Sequence, residues 1–330
     1  MIDIHAPHTP VTAIQGPKTP ARRSRLRRAL AVGVAVSVVT VGAAAATRAG
    51  SSPDDTVLQV TPGLATIHAR GLQTVVNQSQ VIDGYTAVVK EVYADATRVV
   101  VVASITAPPG RVFKQGLFPL QPPTLIDAAS GNSLRMLDGA DDMNGTYVDT
   151  FDARDVAATA SVLHLRYSFP GISGFEPFNP SAAAPSFAGE TYSQVGATRP
   201  DIGVPTRLVR KADPVAFDLS IPVNAERHEA VPNETKQLGA SQLTLQRVVV
   251  TPIGVRVYVQ DTNTDPEDIA AAQLTVGGKA YIPLTARPEA SGLQIYDFET
   301  PLDNQLGAWS LTLQSRSQSS DAVTYNFTIS

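Results

Sequence analysis

Short runs of β-branched or alternating apolar residues, each bounded by turn residues, constrain the fold of this chain more than any other feature. Tyr85–Tyr93 and Thr97–Ile105 are two such runs, and Ala160–Phe169 and Val215–Val223 are two more. Successive side chains of a strand point to opposite faces of its sheet, so a period of two predicts half-buried strands. Helical periodicity is almost absent from these regions. The pattern therefore predicts an all-β protein.

Turn dipeptides show how these strands connect. Asp83-Gly84 separates two strands of the first region, and Gly277-Gly278 joins two strands near the C-terminus as a tight hairpin. Short strands spaced about 8–12 residues apart are typical of antiparallel sandwiches. The sequence predicts two of them in tandem, at residues 65–222 and 223–330.

Three segments depart from this pattern. Residues 170–213 are rich in Pro, Gly, Ser and Ala, and predict a long loop that is either an excursion or a binding surface. Pro266–Ala272 is the best candidate for a helix, with Asp265 as its N-cap. Thr56–Ile67 fits either a spacer or a short first strand.

The N-terminal region predicts a membrane anchor. Residues 29–47 are nineteen consecutive uncharged residues, which as a helix nearly cross a bilayer. The positive-inside rule places the preceding basic residues in the cytoplasm and the remainder of the chain outside. We therefore expect a disordered cytoplasmic tail at 1–28, a transmembrane helix or uncleaved signal anchor at 29–47, and a linker at 48–64. The basic residues that orient it are Arg22, Arg23, Arg25, Arg27 and Arg28.

A second interpretation of this region remains open. A basic stretch, a short apolar core and Ala44-Ala45-Ala46 also describe a signal peptide that is cleaved to release a secreted protein. Both interpretations export the body of the chain. Residues 1–50 carry a charge of +6, so a chain of net charge −4 leaves −10 on the exported part. A basic surface for nucleic acid is not expected there.

Several motifs resemble a bacterial family of extracytoplasmic domains of unknown function, found after a single membrane span in proteins similar to anti-sigma factors. The matching residues are Val76-Asn77-Gln78-Ser79, Asp83-Gly84 and Lys90–Val101. Phe217–Val223 and Leu243–Val257 resemble the immunoglobulin-like domain that accompanies this family. The resemblance covers most of 70–169 and 215–330. It implies that both sandwiches are immunoglobulin-like and follow one N-terminal transmembrane helix.

The same resemblance suggests a link to sigma-factor regulation, from which this chain departs in one respect. Only 28 residues precede the predicted span, and the chain has no Cys. A cytoplasmic sigma-binding domain needs tens of helical residues, sometimes with a zinc site. His5 and His8 alone do not supply one.

Motifs for chemistry are sparse. Asp261, Asn263 and Asp265 have the spacing of a calcium loop, but the positions that require Gly and Glu hold Pro266 and Ala272. Helix capping explains these residues more simply, so no metal site is assigned. Asp297 and Glu299 share a strand face, as solvated acidic pairs often do. We expect His164 to face solvent or a sheet edge.

No catalytic or cofactor-binding residues are expected, and no cofactor is implied. The sequence predicts a membrane-anchored, extracytoplasmic binding or sensing protein that is not an enzyme. Its expected partners are the lipid bilayer, through residues 29–47, and an envelope protein or wall ligand. A structural or adhesion module of the cell surface is the alternative, and an exported hydrolase is a third.

Overall fold

The computed structural model of the protein describes residues 62–141, 145–153, 160–177, 190–194, 206–262, 269–299, 302, 305–316 and 321–330. All of them belong to one compact unit, Arg48–Ser330. The predicted tail at 1–28, the predicted span at 29–47 and the five orienting arginines lie outside the described residues. Within the described residues, no helix has the length and apolar character that a membrane crossing requires.

The described residues form an all-β structure with one short α-helix, α1 (Pro62–Arg70), and a 3₁₀ turn at Ala290–Gly292. We call the residues up to 222 the first half and those from 223 the second half. The strands of the first half are β1 (Thr74–Ile82), β2 (Tyr85–Ala94), β3 (Arg98–Thr106), β4 (Lys114–Pro119), β5 (Thr124–Asp127), β6 (Ser133–Leu134), β7 (Met136–Asp141), β8 (Thr146–Asp152), β9 (Val162–Phe169), β10 (Ile172–Pro177), β11 (Glu190–Gln194), β12 (Thr206–Lys211) and β13 (Val215–Pro222). Those of the second half are β14 (His228–Ala230), β15 (Glu234–Leu238), β16 (Ser241–Thr251), β17 (Gly254–Asp261), β18 (Ile269–Val276), β19 (Lys279–Tyr281), β20 (Thr285–Pro288), β21 (Leu293–Phe298), β22 (Gly307–Ser315) and β23 (Ala322–Ile329).

These strands form five sheets, and every ladder between them is antiparallel. Sheet I has the order β1-β2-β3-β8-β7, sheet II β13-β9-β5-β6 and sheet III β11-β12-β10-β4. In the second half, sheet IV has the order β14-β16-β17-β21-β20, with β15 also paired to β16, and sheet V has the order β19-β18-β22-β23. The predicted all-β, antiparallel character is confirmed.

Two apolar cores lie between these sheets. On β13, Val215, Phe217, Leu219 and Ile221 are buried while the residues between them are more exposed, which is the expected period of two. They belong to the first core, which sheets I and II mainly form. The second core lies between sheets IV and V and includes Trp309. Facing sheets of this kind have a β-sandwich character.

The predicted turns are confirmed. Asp83 and Gly84 have φ values of 47° and 87° between β1 and β2, and Gly277 and Gly278 have 56° and 79° between β18 and β19. Two consecutive positive φ values define the turn that matches the twist of a two-residue hairpin. Gly and Asp tolerate this conformation better than most residues.

α1 was not predicted, because Thr56–Ile67 fitted a spacer or a strand. Pro62 occupies its first turn, where the missing N–H costs nothing. Gly71, with φ 65°, ends it, and the amides of Gly71 and Leu72 donate to the carbonyls of His68 and Ile67.

Two further expectations are wrong. Residues 170–213 are not one long loop, because β10, β11 and β12 lie within this range. These strands lack an apolar alternation since much of their contact is between charged side chains. The helix expected at Pro266–Ala272 is also not found in its described part, because Ile269–Val276 is β18 and pairs with β22.

Candidate functional site at the junction of the two halves

Two arginines and two aspartates meet where the halves contact each other. Asp152 ends β8 of the first half, whereas Arg256, Arg287 and Asp297 lie on neighbouring strands of sheet IV. Arg256 and Asp297 are direct cross-strand partners. Side chains of such partners start about 5 Å apart, so the register of sheet IV prepares one ion pair by itself.

Four charge-assisted hydrogen bonds close these residues into a ring. Arg256 donates from Nε to Asp297 Oδ1 at 2.6 Å and from Nη1 to Asp152 Oδ1 at 2.7 Å. Arg287 donates from Nη1 to Asp152 Oδ2 and from Nη2 to Asp297 Oδ2, both at 2.6 Å. No side chain of the ring is more than 4% exposed. Asp152 therefore connects the first half to two arginines of the second.

Asp297 and Arg256 stay charged at neutral pH. Burial acts to raise the pKa of Asp297, but the charges of Arg256, Arg98 and Arg287 hold that pKa below its usual value. Burial likewise acts to lower the pKa of Arg256, and the two aspartates outweigh it, so this pKa is raised. Removing one member of a buried ion pair costs about 3–5 kcal/mol, since the remaining charge stays buried without its partner.

A third arginine lies beside the ring. Arg98 is 1% exposed, and its Nη2 is 3.6 Å from Asp297 Oδ1. None of its guanidinium nitrogens donates a hydrogen bond to the described residues. The turn before β3 places it, because Asp95 Oδ1 accepts hydrogen bonds from the amides of Thr97 and Arg98. Burial raises the pKa of nearby Glu299, while the charge of Arg98 opposes that shift.

An open cavity of about 600 Å³, lined by both polar and apolar residues, lies next to the ring. Asp152 forms part of its wall, and a small polar molecule fits a space of this size. Asp127 is held in a turn, where its Oδ2 accepts hydrogen bonds from the amide and hydroxyl of Ser130. The Ser130 hydroxyl chiefly lowers the pKa of Asp127. Other polar residues of the wall are Asn132, Arg135 and His164.

A second charged cluster fixes sheet III to sheet I. Arg111 donates from Nε and Nη2 to Glu176 at 3.1 Å, and from Nη1 to Glu190 at 2.7 Å. Arg207 donates twice to Glu176, at 3.0 and 2.7 Å, and Tyr85 of β2 donates to Glu190 at 2.8 Å. Although burial opposes it, the two arginines lower the pKa of Glu176. The carboxylates in this cluster are engaged by side chains of the same protein.

The candidate residues named from the sequence that the structure describes lie in different parts of the fold. Asp261 is 2% exposed at the end of β17, whereas Asn263 and Asp265 lie outside the described residues. Within the described part of the chain, no group of three or more His, Asp or Glu residues could hold a metal ion. His164 is exposed, as expected, and lines the cavity. Asp297 is not solvated as sequence alone suggested, because the ring buries it.

Sequence reasoning missed Arg98, Arg256, Arg287 and Asp152. Arg256 stands between Val255 and Val257, an alternation that is typical of a strand with one buried and one solvent-exposed face. This pattern suggests that the Arg256 side chain is exposed to solvent. Both faces of β17 are in fact buried at this point. The sequence did contain one indication of burial in this region. Val99–Val102 are four consecutive valines, and such a run indicates a strand that is covered on both faces.

No protein-family model matches the chain, and no curated protein matches it. Among solved structures, a conserved domain protein from Bacillus anthracis is similar over 78% of this chain and 91% of its own, with 12% identity and a TM-score of 0.50. This likeness concerns the fold alone. The Escherichia coli adhesin FdeC aligns over 71% of this chain and 93% of its own, with 10% identity and a TM-score of 0.18. A marsupial T cell receptor aligns over 77% and 98%, with 10% identity and a TM-score of 0.19. Scores this low carry no argument.

Proposed function

We propose that this chain is a single-pass, membrane-anchored binding or sensing protein of the bacterial cell envelope, and that it is not an enzyme. Residues 29–47 cross the bilayer, the short basic tail stays in the cytoplasm, and two tandem immunoglobulin-like domains lie outside at 65–222 and 223–330. The proposal includes a role in sigma-factor regulation. In this role the exported body binds an envelope protein or a wall ligand.

The observation that supports the binding role is the junction. A ring of four buried charges joins the halves, and a cavity with both polar and apolar lining opens beside it, with Asp152 belonging to both. Buried ion pairs are weak evidence for stability but strongly disfavour arrangements that separate the partners. We infer that the two halves act as one stiff body that holds the cavity in a constant shape.

The chemistry of the ring also supports binding over catalysis. Asp297 accepts hydrogen bonds from two arginines, and its lowered pKa keeps it ionised. A general acid or base needs a pKa near the working pH and a free path to substrate. Asp297 has neither, so it serves to hold the junction.

Fractionation of the full chain with a C-terminal tag tests the proposed location. We expect the tag in the membrane fraction and expect protease added to intact spheroplasts to remove it. Replacing Arg22, Arg23, Arg25, Arg27 and Arg28 with Ala weakens the orientation signal, so part of the tag becomes protected. A matched variant with alanines at the exposed Arg210 and Arg227 keeps the wild-type orientation.

Release of a shortened form into the medium would contradict the anchor and favour the cleaved, secreted alternative. Sedimentation of the detergent-solubilised full chain with purified cell wall distinguishes the roles of the exported body. Retention on the wall without any effect on sigma-dependent transcription favours the structural or adhesion module. Altered transcription when the chain is deleted favours the sensor.

A further inference from the structure

α1 packs on both halves of the protein. Leu64 and Ile67 are 1% and 0% exposed and pack in one apolar cluster. The cluster combines Ile253 of the second half with four residues of the first, namely Tyr93, Val100, Val102 and Val148. The helix thus covers an apolar face to which both halves contribute.

The contact with the second half is close. A Cβ atom added to Gly63 would lie 2.4 Å from Cγ1 and 2.6 Å from the carbonyl oxygen of Ile253. Real Cβ atoms do not approach other heavy atoms so closely, so a larger residue at this position would displace the helix. Gly63 therefore permits the first turn of α1 to rest on the backbone of the second half.

Side-chain contacts to Glu91 and Glu226 hold the C-terminal end of α1. His68 Nε2 lies 2.5 Å from Glu91 Oε1 on β2, and Arg70 Nη2 lies 2.5 Å from Glu226 Oε2. Glu226 belongs to the connection between β13 and β14. The pair of Arg70 and Glu226 is partly exposed, and pairs of that kind contribute little to stability. The side chains of His68 and Glu91 are only 15% and 10% exposed.

These contacts hold α1 less firmly than the strands of the two cores are held. Its nine residues are fewer than an isolated helix needs to persist in water. The strands of the cores, by contrast, are held by ladder hydrogen bonds that do not involve α1. A local element can open at a lower free energy than global unfolding requires, and to undock, α1 must release Leu64 and Ile67 from the apolar cluster.

We propose that α1 is a releasable strap across the junction. It undocks as a unit while both cores stay folded, and it uncovers the apolar face of Val100, Val102, Val148 and Ile253. The inference rests on the proposed function in one respect: tension from the membrane anchor would reach the body through α1, the first described element after the predicted span.

Thiol labelling tests the strap, because the natural chain has no Cys. Ile67→Cys reports undocking of α1, and Leu311→Cys, equally buried in the second core, reports opening of that core. We expect the full chain with Ile67→Cys to be labelled at least tenfold faster in native buffer. Adding Arg70→Ala should accelerate labelling at position 67 and leave position 311 unchanged.

Equal labelling rates at the two positions would overturn the proposal, since α1 would then open only with the cores. Ile67→Cys removes buried carbons from the helix, so hydrogen exchange of the unsubstituted chain provides a second measurement that is free of this effect. Amides of α1 should exchange at least tenfold faster than those of β17, and equal protection would contradict the strap. Neither readout depends on membrane location, so failure of the anchor and failure of the strap are distinguishable.

Discussion

Asp149 is a buried carboxylate outside the ring, and its surroundings favour the neutral form. It is 4% exposed on β8 and accepts a 2.6 Å hydrogen bond from the hydroxyl of Tyr167. Burial raises its pKa to about 6 from 3.8, Asp138 adds to this shift, and the hydrogen bond from Tyr167 opposes it. Ionising Asp149 therefore costs free energy of folding.

The sign of the pH dependence follows from this raised pKa. Below about pH 4 both the folded and the unfolded chain hold the proton, and Asp149 imposes no cost. Between about pH 4 and pH 6 the unfolded chain loses the proton first, so stability falls, by about 3 kcal/mol in total at about 1.4 kcal/mol per pKa unit. Asp149→Asn should remove this loss.

Urea denaturation at several pH values measures the effect. The free energy of unfolding of Asp149→Asn, relative to wild type, should rise by about 3 kcal/mol from pH 2 to pH 7. Asp218→Asn, at an exposed position on β13, is the matched control and should show little change. A difference for Asp149→Asn that is independent of pH would show that the carboxyl is not shifted.

At the scale of elements, two glutamines close an open side of the first sandwich. β1 and β13 are edge strands of sheets I and II. Gln80 donates to the carbonyl of Ala216 and accepts from its amide, and Gln78 donates to the carbonyl of Asp218. These side chains provide the hydrogen bonds that a neighbouring strand would otherwise make, which protects both edges from pairing with other chains.

Gln80→Ala should expose the amide of Ala216. We expect this amide to lose its exchange protection and the chain to lose about 1–2 kcal/mol, as two hydrogen bonds disappear. Amide exchange followed by NMR is the measurement, and Ser79→Ala, at an exposed neighbouring position, is the control. Unchanged protection at Ala216 would show that the bonds from Gln80 do not hold the edge.

The sequence predicted those elements whose residues have local reasons for their conformation. Asp83-Gly84 and Gly277-Gly278 require positive φ, and the alternation in Val215–Val223 requires one buried face, so these were predicted correctly. β10 to β12 were missed because Glu176 pairs with Arg207 on the neighbouring strand, which a pattern of apolar residues does not show. Glu190 on β11 likewise pairs with Arg111. The ring was missed for a related reason: Asp152 and Arg256 are 104 positions apart, and only the fold brings them together.

At the scale of the whole molecule, two independent features join the halves. The ring connects Asp152 to Arg256 and Arg287, and α1 packs on both halves through Leu64 and Ile67. A large apolar interface between sandwiches would resist sliding but would not select one orientation. The ring does select one, because each carboxylate oxygen has a specified donor.

This account predicts that the halves unfold together until the ring is broken. The single tryptophan of the chain, Trp309, is 3% exposed in the second core, so its fluorescence follows the second half. Far-ultraviolet circular dichroism follows the strands of both halves. Coincidence of two such probes is a test of one cooperative transition.

The most direct test is therefore urea unfolding of the full chain, recorded with both probes, for wild type and Asp152→Asn, with Asp218→Asn as control. Wild type and control should show coincident midpoints. In Asp152→Asn the two arginines lose the charge that joins them to the first half, and the midpoints should separate by on the order of 1 M urea. Midpoints that are separate in wild type, or that stay coincident in Asp152→Asn, would contradict the claim that the buried ring joins the two halves into one body.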